Sequence, residues 1–500
     1  MLRWRQMNSA VQKILISKEE YKMKPSLHYL SEENICTIHE KALELLEQMG
    51  MKMELAEARE YLQKAGATVT GDIVKIPRSV IMKALETVPK RDDFILYAAD
   101  PRYDIRLKDE APVLAAMPAA TAIIDLETRE KRDPVCRDVA MLTRLQDRLG
   151  VGMVSGLVYP RDVQMDISDW YVWAETFKNT KKHINGSAVG KQGVRDIVEM
   201  AEIAMDHQYK FEDRPCTSVC VLTTPAMRIG RDALEVLIEA SEQNMPMSIS
   251  SGGIMGLTCP MTIESSAILA HAEVLAVTAL SQLVRPGVQV LYTSFARSID
   301  MRTMQVQMSS PETIILKSIA SELGHYLNLP TLMAIALRDA KKLDAQAGFE
   351  TGMAGVVGAM TADIFYGIQL DDDLVVDYAD LPFIDDCMQQ LRRLTRGLEF
   401  SEERMDVENI MEIGYGGNYL ESPHTLEYFR SEVWQSELKE YGTWERWMEA
   451  GGKTMEEKCI ERAKQLVEEL ESATYVTESQ AEKIDAIVTG AKDKAKGVSR

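Results

Sequence analysis

The sequence predicts an α/β chain built on a (β/α)8 TIM-type barrel, with an α+β segment before it and a helical segment after it. From Pro134 onward, buried-strand patterns alternate with helical ones at a spacing of roughly 30–40 residues, the mark of repeated βα units around a parallel sheet. The glycine signatures of the doubly wound nucleotide folds are missing, since no GxGxxG follows the first strand and no GxxxxGK[ST] occurs. At 500 residues the chain exceeds one ordinary domain but suits a barrel carrying extra segments.

Taken in order, residues 1–24 read as a flexible arm. Residues 25–110 read as the α+β extension: a helix opened by Ser31 with acids in its first turn and closed near Gly50, a second from Leu55 to Ala65, an alternating strand and a further helix. Residues 111–400 are assigned to the barrel. A strand within 113–124 starts it, and a hairpin turn is expected at Glu127–Glu130. Six helix–strand pairs then follow, with strands expected at Gly152–Tyr159, His183–Val189, Thr217–Thr223, Met247–Ser251, Val288–Thr293 and Thr331–Leu337. A small-residue helix near 347–361 and a strand from Asp363 to Ile368 close the ring. Residues 401–500 read as mainly helical, interrupted by a glycine-rich stretch at Glu412–Leu420.

The net charge of −20 argues against non-specific binding of nucleic acid or of an anionic membrane surface. No apolar run reads as a membrane span, and the first residues lack the apolar core of a signal peptide. Seven cysteines without a CxxC pair fit a reducing cytoplasm and not a disulfide framework. Most of the 29 methionines are explained as core filling.

In a barrel of this kind, chemistry collects at the carboxyl ends of the strands. The densest polar stretch there runs from Asp339 through Lys341, Asp344 and Gln346 to Glu350, and Asp339 and Glu350 are the candidate catalytic groups. A helix-start carboxylate or a salt bridge would explain the same residues. The strand ends supply hydroxyls, aromatics and amides, with Tyr159, Ser251, Tyr292, Phe295, Phe349, Tyr366 and Gln369 as candidate substrate-binding residues. His424, beside the glycine-rich stretch, is the one histidine added to them. The turn Ser250–Gly253 could cradle an anion or simply be a tight βα turn, and Arg302 near Asp300 fits either a carboxylate or an ion pair. HExxH and GxSxG are absent and no metal-ligand set is formed, so no metal site is expected.

Four pieces in fixed order carry a resemblance: Thr262–Ala276, Asp300–Arg302 with Ser310–Glu312, Asp339–Glu350, and Gly416–Leu420 with His424–Thr425. Through them the chain, from about Leu30 to Trp434, resembles the trimethylamine methyltransferase superfamily, in particular its members without pyrrolysine, which are similar to glycine betaine:corrinoid methyltransferases. Asn418 stands where that family usually has histidine. The resemblance implies a barrel that moves a methyl group from a quaternary amine, glycine betaine or a related betaine, to the cobalt of a corrinoid. That corrinoid (cobalamin) is carried by a cognate partner protein, and no cofactor is bound tightly by the chain itself. It further implies a cytoplasmic enzyme of one-carbon metabolism and methylotrophy, expected as a homo-oligomer without nucleic-acid or membrane partners. Aromatic faces would hold the cation at about 0.5–2 kcal/mol each when dry. Asp339 or Glu350 would add charge attraction, with Arg302, Lys341 or the Ser250–Gly253 turn on a substrate carboxylate. A barrel that binds a betaine-like cation without turning it over, and a lyase using Lys341 as a Schiff base, are the alternatives from other classes.

Overall fold

The computed structural model describes residues 25–498, so the expected arm at 1–24 lies outside the described residues. Eight parallel strands close a barrel: β1 (Val113–Ala115), β2 (Met153–Val154), β3 (His183–Gly186), β4 (Thr217–Leu222), β5 (Met247–Ser251), β6 (Val290–Ser294), β7 (Thr331–Met333) and β8 (Ile364–Tyr366). Helices α1 (Cys136–Arg148), α2 (Ser168–Asn179), α3 (Gly190–Ala204), α4 (Arg231–Glu242), α5 (Ile263–Val284), α6 (Pro311–Tyr326), α7 (Ala345–Thr361) and α8 (Asp380–Thr395) accompany them. The expected eighth strand is the first half of its segment. Ala122–Ile124 instead pairs with Lys131–Arg132 across the expected hairpin and with Val375–Asp377.

Side-chain direction follows strand parity. Successive residues of a strand face opposite sides, and laterally paired residues of neighbouring parallel strands face the same side. Val113, Ala115, Met153, Leu291, Leu332, Ala334, Ile364 and Tyr366 therefore meet in one cluster inside the barrel. Phe94, Leu96 and Leu107 join it from the hairpin Ile95–Leu96/Ile105–Arg106. This hairpin closes the amino-terminal end, where His183, the first residue of β3, places Nδ1 2.6 Å from the Tyr97 carbonyl oxygen.

Ahead of the barrel, within the same compact unit, the chain forms helices and short strands. Its first helix (Glu32–Gln48) begins at Ser31, whose Oγ accepts the Asn34 N–H at 3.2 Å. Strands Met51–Met53, Thr68–Thr70 and Ile73–Lys75 build a sheet completed by Arg228–Ile229 from the β4–α4 connection. The first helix and the helix Arg78–Leu85 both pack on α5.

Sandwiched this way, α5 is apolar on nearly every face. At 22 residues it is long and apolar enough to cross a membrane, which corrects the sequence reading that no such run exists, but 78% of its apolar window is buried within the fold. A helix covered on both sides needs no polar stripe.

Residues 27–389 and 438–498 form one compact unit, and residues 25–26 with 390–437 belong to a second. The C-terminal segment expected as one extension is thus divided. Helix Met455–Leu470, opened by the reciprocal Thr454–Glu457 capping box, packs on α1. Helix Glu478–Val498 packs on α2 and α3.

Candidate active site at the barrel mouth

The carboxyl ends of β6 and β8 bring two rings together. Phe295 follows β6 directly, its N–H donating to the Ser251 carbonyl at 2.9 Å. Tyr366 ends β8 and points inward, and the two rings lie nearly parallel, 9° apart in plane and 6.4 Å between centroids. Gly367 is required next to Tyr366, because a Cβ there would stand 2.1 Å from the Ala336 carbonyl carbon. Burial pushes the Tyr366 phenol well above its usual range, and the charge on Asp373 adds to the effect.

Charged groups surround this pair. The Arg297 guanidinium lies 4.6 Å from the Phe295 ring centroid, and the Lys317 ammonium 5.7 Å from it. Lys317 reaches in from α6, fully buried, and donates to the Ala334 carbonyl. Burial, then the charge of Arg297, lowers its pKa to about 7. After β8 the chain runs through Asp371, Asp372 and Asp373, all with positive φ of 53°, 57° and 71°. Aspartate tolerates this region better than most residues, yet three in succession are sparsely populated backbone, of the kind held in place at functional sites. The run is fixed by the Asp371 N–H to the Ala340 carbonyl (2.9 Å) and the Asp372 N–H to the Arg338 carbonyl (3.1 Å). Burial and the charge of Asp372 raise the Asp373 carboxyl to about 8, against the pull of Lys317 and Arg297.

Several polar atoms here are buried without a hydrogen-bond partner among the described residues: Ser250 Oγ, Arg297 Nε, Gln369 Oε1 and Asp373 Oδ1. Of ten such atoms among the described residues, these four gather at one end of the barrel, and buried polar groups are ordinarily satisfied, so the group marks a place for a polar ligand. Deeper in, Asn185 accepts from Ser218 Oγ at 3.0 Å, and Ser218 Oγ lies 3.0 Å from His183 Nε2.

The candidates read from sequence separate into groups. Phe295, Tyr366 and Gln369 gather at the mouth, where Gln369 donates to the Met117 carbonyl at 2.6 Å. The Tyr159 hydroxyl lies beside Asp169 and Ser187. Ser251 and Tyr292 are corrected by parity. The Ser251 hydroxyl donates outward to Glu273 on α5 at 2.9 Å, and the Tyr292 hydroxyl lies 2.7 Å from His271 Nδ1 on the same helix. Their neighbours Ser250, Leu291 and Thr293 take the inward positions. Phe349 is 69% exposed on α7 and takes no part in the ring pair.

Asp339 and Glu350 are anchors of the backbone. Asp339 accepts from the N–H groups of Met308 and Ser309 and from Ser309 Oγ, at 2.6–3.1 Å. Glu350 accepts from the Ala340 N–H at 3.0 Å and from Gln346 Nε2 at 2.7 Å. The charges suggested for a carboxylate are committed elsewhere: Arg302 is 91% exposed beside Asp300, and Lys341, 68% exposed, is 2.6 Å from Asp371. His424 belongs to the 390–437 unit, with Nε2 3.2 Å from the Arg404 carbonyl oxygen and its ring 4.7 Å from that of Tyr428. Among the described residues no cluster of three or more potential metal ligands is formed.

The sequence reading missed Arg297, Lys317, Asp372 and Asp373. A signal existed for Lys317, a lone charge on the apolar face of TIILKSIASELG. The aspartates resemble any solvated turn, and only the fold shows them folded back over the barrel.

The whole arrangement sits on a chain whose residues 3–495 match the family pattern described as trimethylamine methyltransferase (MTTB). The chain belongs to that family. Among curated relatives, the family's trimethylamine methyltransferase from Desulfitobacterium hafniense (strain DSM 10664 / DCB-2) is 30% identical over 91% of both chains. A glycine betaine methyltransferase from Desulfitobacterium hafniense (strain Y51) is 26% identical over 85% of this chain and 89% of its own. A proline betaine:corrinoid methyltransferase from Eubacterium limosum is 28% identical over 82% and 86%. The solved monomethylamine methyltransferase of Methanosarcina barkeri aligns over 92% of this chain and 97% of its own, at 12% identity and a TM-score of 0.47, too distant to add to what the strands already show.

Proposed function

We propose that the protein is a cytoplasmic enzyme that transfers a methyl group from a quaternary amine of the betaine class to the Co(I) corrinoid of a separate protein. The observation that carries this reading is the parallel Phe295–Tyr366 pair beside Asp372 and Asp373, at the mouth of a barrel in a family of amine methyltransferases. Relatives named for glycine betaine, proline betaine and L-carnitine support the betaine class, as does a sequence made only of standard residues. All seven cysteines are unpaired, which supports a reducing compartment.

The residues suit this chemistry. A corrinoid on a partner protein supplies the nucleophile, and loss of methyl from a quaternary ammonium releases a neutral amine. No side chain here has to donate a proton. The chain instead strips water from the cation, holds it and aims one methyl group outward. The rings of Phe295 and Tyr366 replace lost hydration, and the aspartates supply negative potential in a buried setting where charge acts strongly.

The test is to mix the protein with a reduced corrinoid protein and glycine betaine, proline betaine, carnitine or γ-butyrobetaine. Conversion of the Co(I) spectrum to that of methyl-Co(III) is expected with at least one of them. No spectral change with all four would sink the reading.

A further inference from the structure

Four ionisable groups meet at the barrel mouth without pairing among the described residues. Arg297 and Lys317 lie within electrostatic reach of Asp372 and Asp373. Yet among the described residues no ion pair or hydrogen bond joins either cation to either acid, and Arg297 Nε and Asp373 Oδ1 are left buried and unpartnered. The nearby charges behave otherwise. Arg338, fully buried, donates to both oxygens of Asp380, Lys341 is paired with Asp371, and Asp339 is filled by Met308 and Ser309. The groups around Phe295, unlike these, are held apart. Polar groups held at the mouth but unjoined are costly in the free protein, and a ligand carrying both signs supplies the partners they lack.

The polarity of the site is fixed. Arg297 lies over the Phe295 ring, and Lys317 is near the same ring. The positive side is therefore at the end of β6. The negative side is the loop after β8, where Asp373 lies near the Tyr366 hydroxyl. Resting on the reading above, we propose that Arg297 binds the carboxylate of the substrate while Asp372 and Asp373 face its ammonium group. The site then selects a zwitterion over a simple quaternary cation. Arg297 is a specificity-determining residue, with Lys317 reinforcing the positive side near the same ring.

Calorimetric titration of the full chain tests this without any methyl transfer, using glycine betaine, choline and tetramethylammonium as probes. The wild type is expected to bind glycine betaine more tightly than the two carboxylate-free cations. Arg297→Gln is expected to weaken glycine betaine by about 10- to 100-fold, the range of a charge-assisted hydrogen bond, and tetramethylammonium by less than about threefold. Arg297→Lys should restore part of the loss, and Asp373→Asn should weaken all three probes. Equal affinity of the wild type for choline and glycine betaine would overturn the proposal whether or not any variant folds. So would equal loss of all probes in a folded Arg297→Gln. Selective zwitterion binding without the methyl-Co(III) spectrum would instead leave the charge assignment standing and remove the methyl-transfer reading.

Discussion

Asp373 is the residue whose protonation decides how the mouth meets a cation. Its carboxyl, held at about 8 by burial and by Asp372, carries a proton in most molecules at neutral pH, although Lys317 and Arg297 pull the other way. An ammonium ligand favours the ionised form, so binding below pH 8 must expel that proton. Affinity is expected to rise with pH up to about 8 and then level, approaching a tenfold gain per pH unit on the acid side. Calorimetry in buffers of different ionisation heat should show proton release at pH 7, and Asp373→Asn should abolish both the release and this slope. The groups facing Asp373 are Asp372, Lys317, Arg297 and the Tyr366 hydroxyl. Lys317 itself titrates near 7, so the variant is needed to separate the two. None of this could be read from the chain. Asp371–Asp373 has the composition of an exposed turn, and burial is a property of where the loop lands.

At the scale of elements, the alternation of strand and helix was written plainly: seven of the eight strands fall inside the stretches expected for them, and β6 runs one residue past its own, to Ser294. What the pattern concealed was parity. A strand buried on both faces shows no apolar–polar alternation, so Tyr292 and Phe295, both near the end of β6, look equally eligible for the site. One is turned to α5 and the other to the mouth. Tyr292→Phe is accordingly expected to lower stability by about 1 kcal/mol through loss of its contact with His271, while leaving betaine affinity unchanged. Phe349→Ala on exposed α7 should alter neither affinity nor methyl transfer. Denaturant midpoints and calorimetry on the same preparations would check both. A weakened betaine titration in either variant would place the site outside the barrel interior. The polar stretch from Asp339 to Glu350 was correctly located but carries a different load: its carboxylates fasten the turns that follow β6 and β7.

For the whole molecule, length and rhythm indicated a barrel with additions, and the order of its motifs indicated the family. The path of the additions was not legible, because which surface a helix covers is decided by long-range packing. That gap explains why α5 escaped notice as an apolar span: its histidine and two glutamates interrupt the run on paper, while in the fold His271 and Glu273 are buried and bonded to Tyr292 and to Ser251 and Thr223. The N-terminal layer that covers α5 has a consequence for biosynthesis. It leaves the ribosome before α5 does, so the residues that cover the greasy helix are already synthesised when it emerges. Deleting residues 27–90 would let the same 22 residues be read by membrane-targeting machinery as a stop in the bilayer. Cell fractionation of that truncation should find the protein shifted from the soluble to the membrane or aggregated fraction, with the full-length chain as the control.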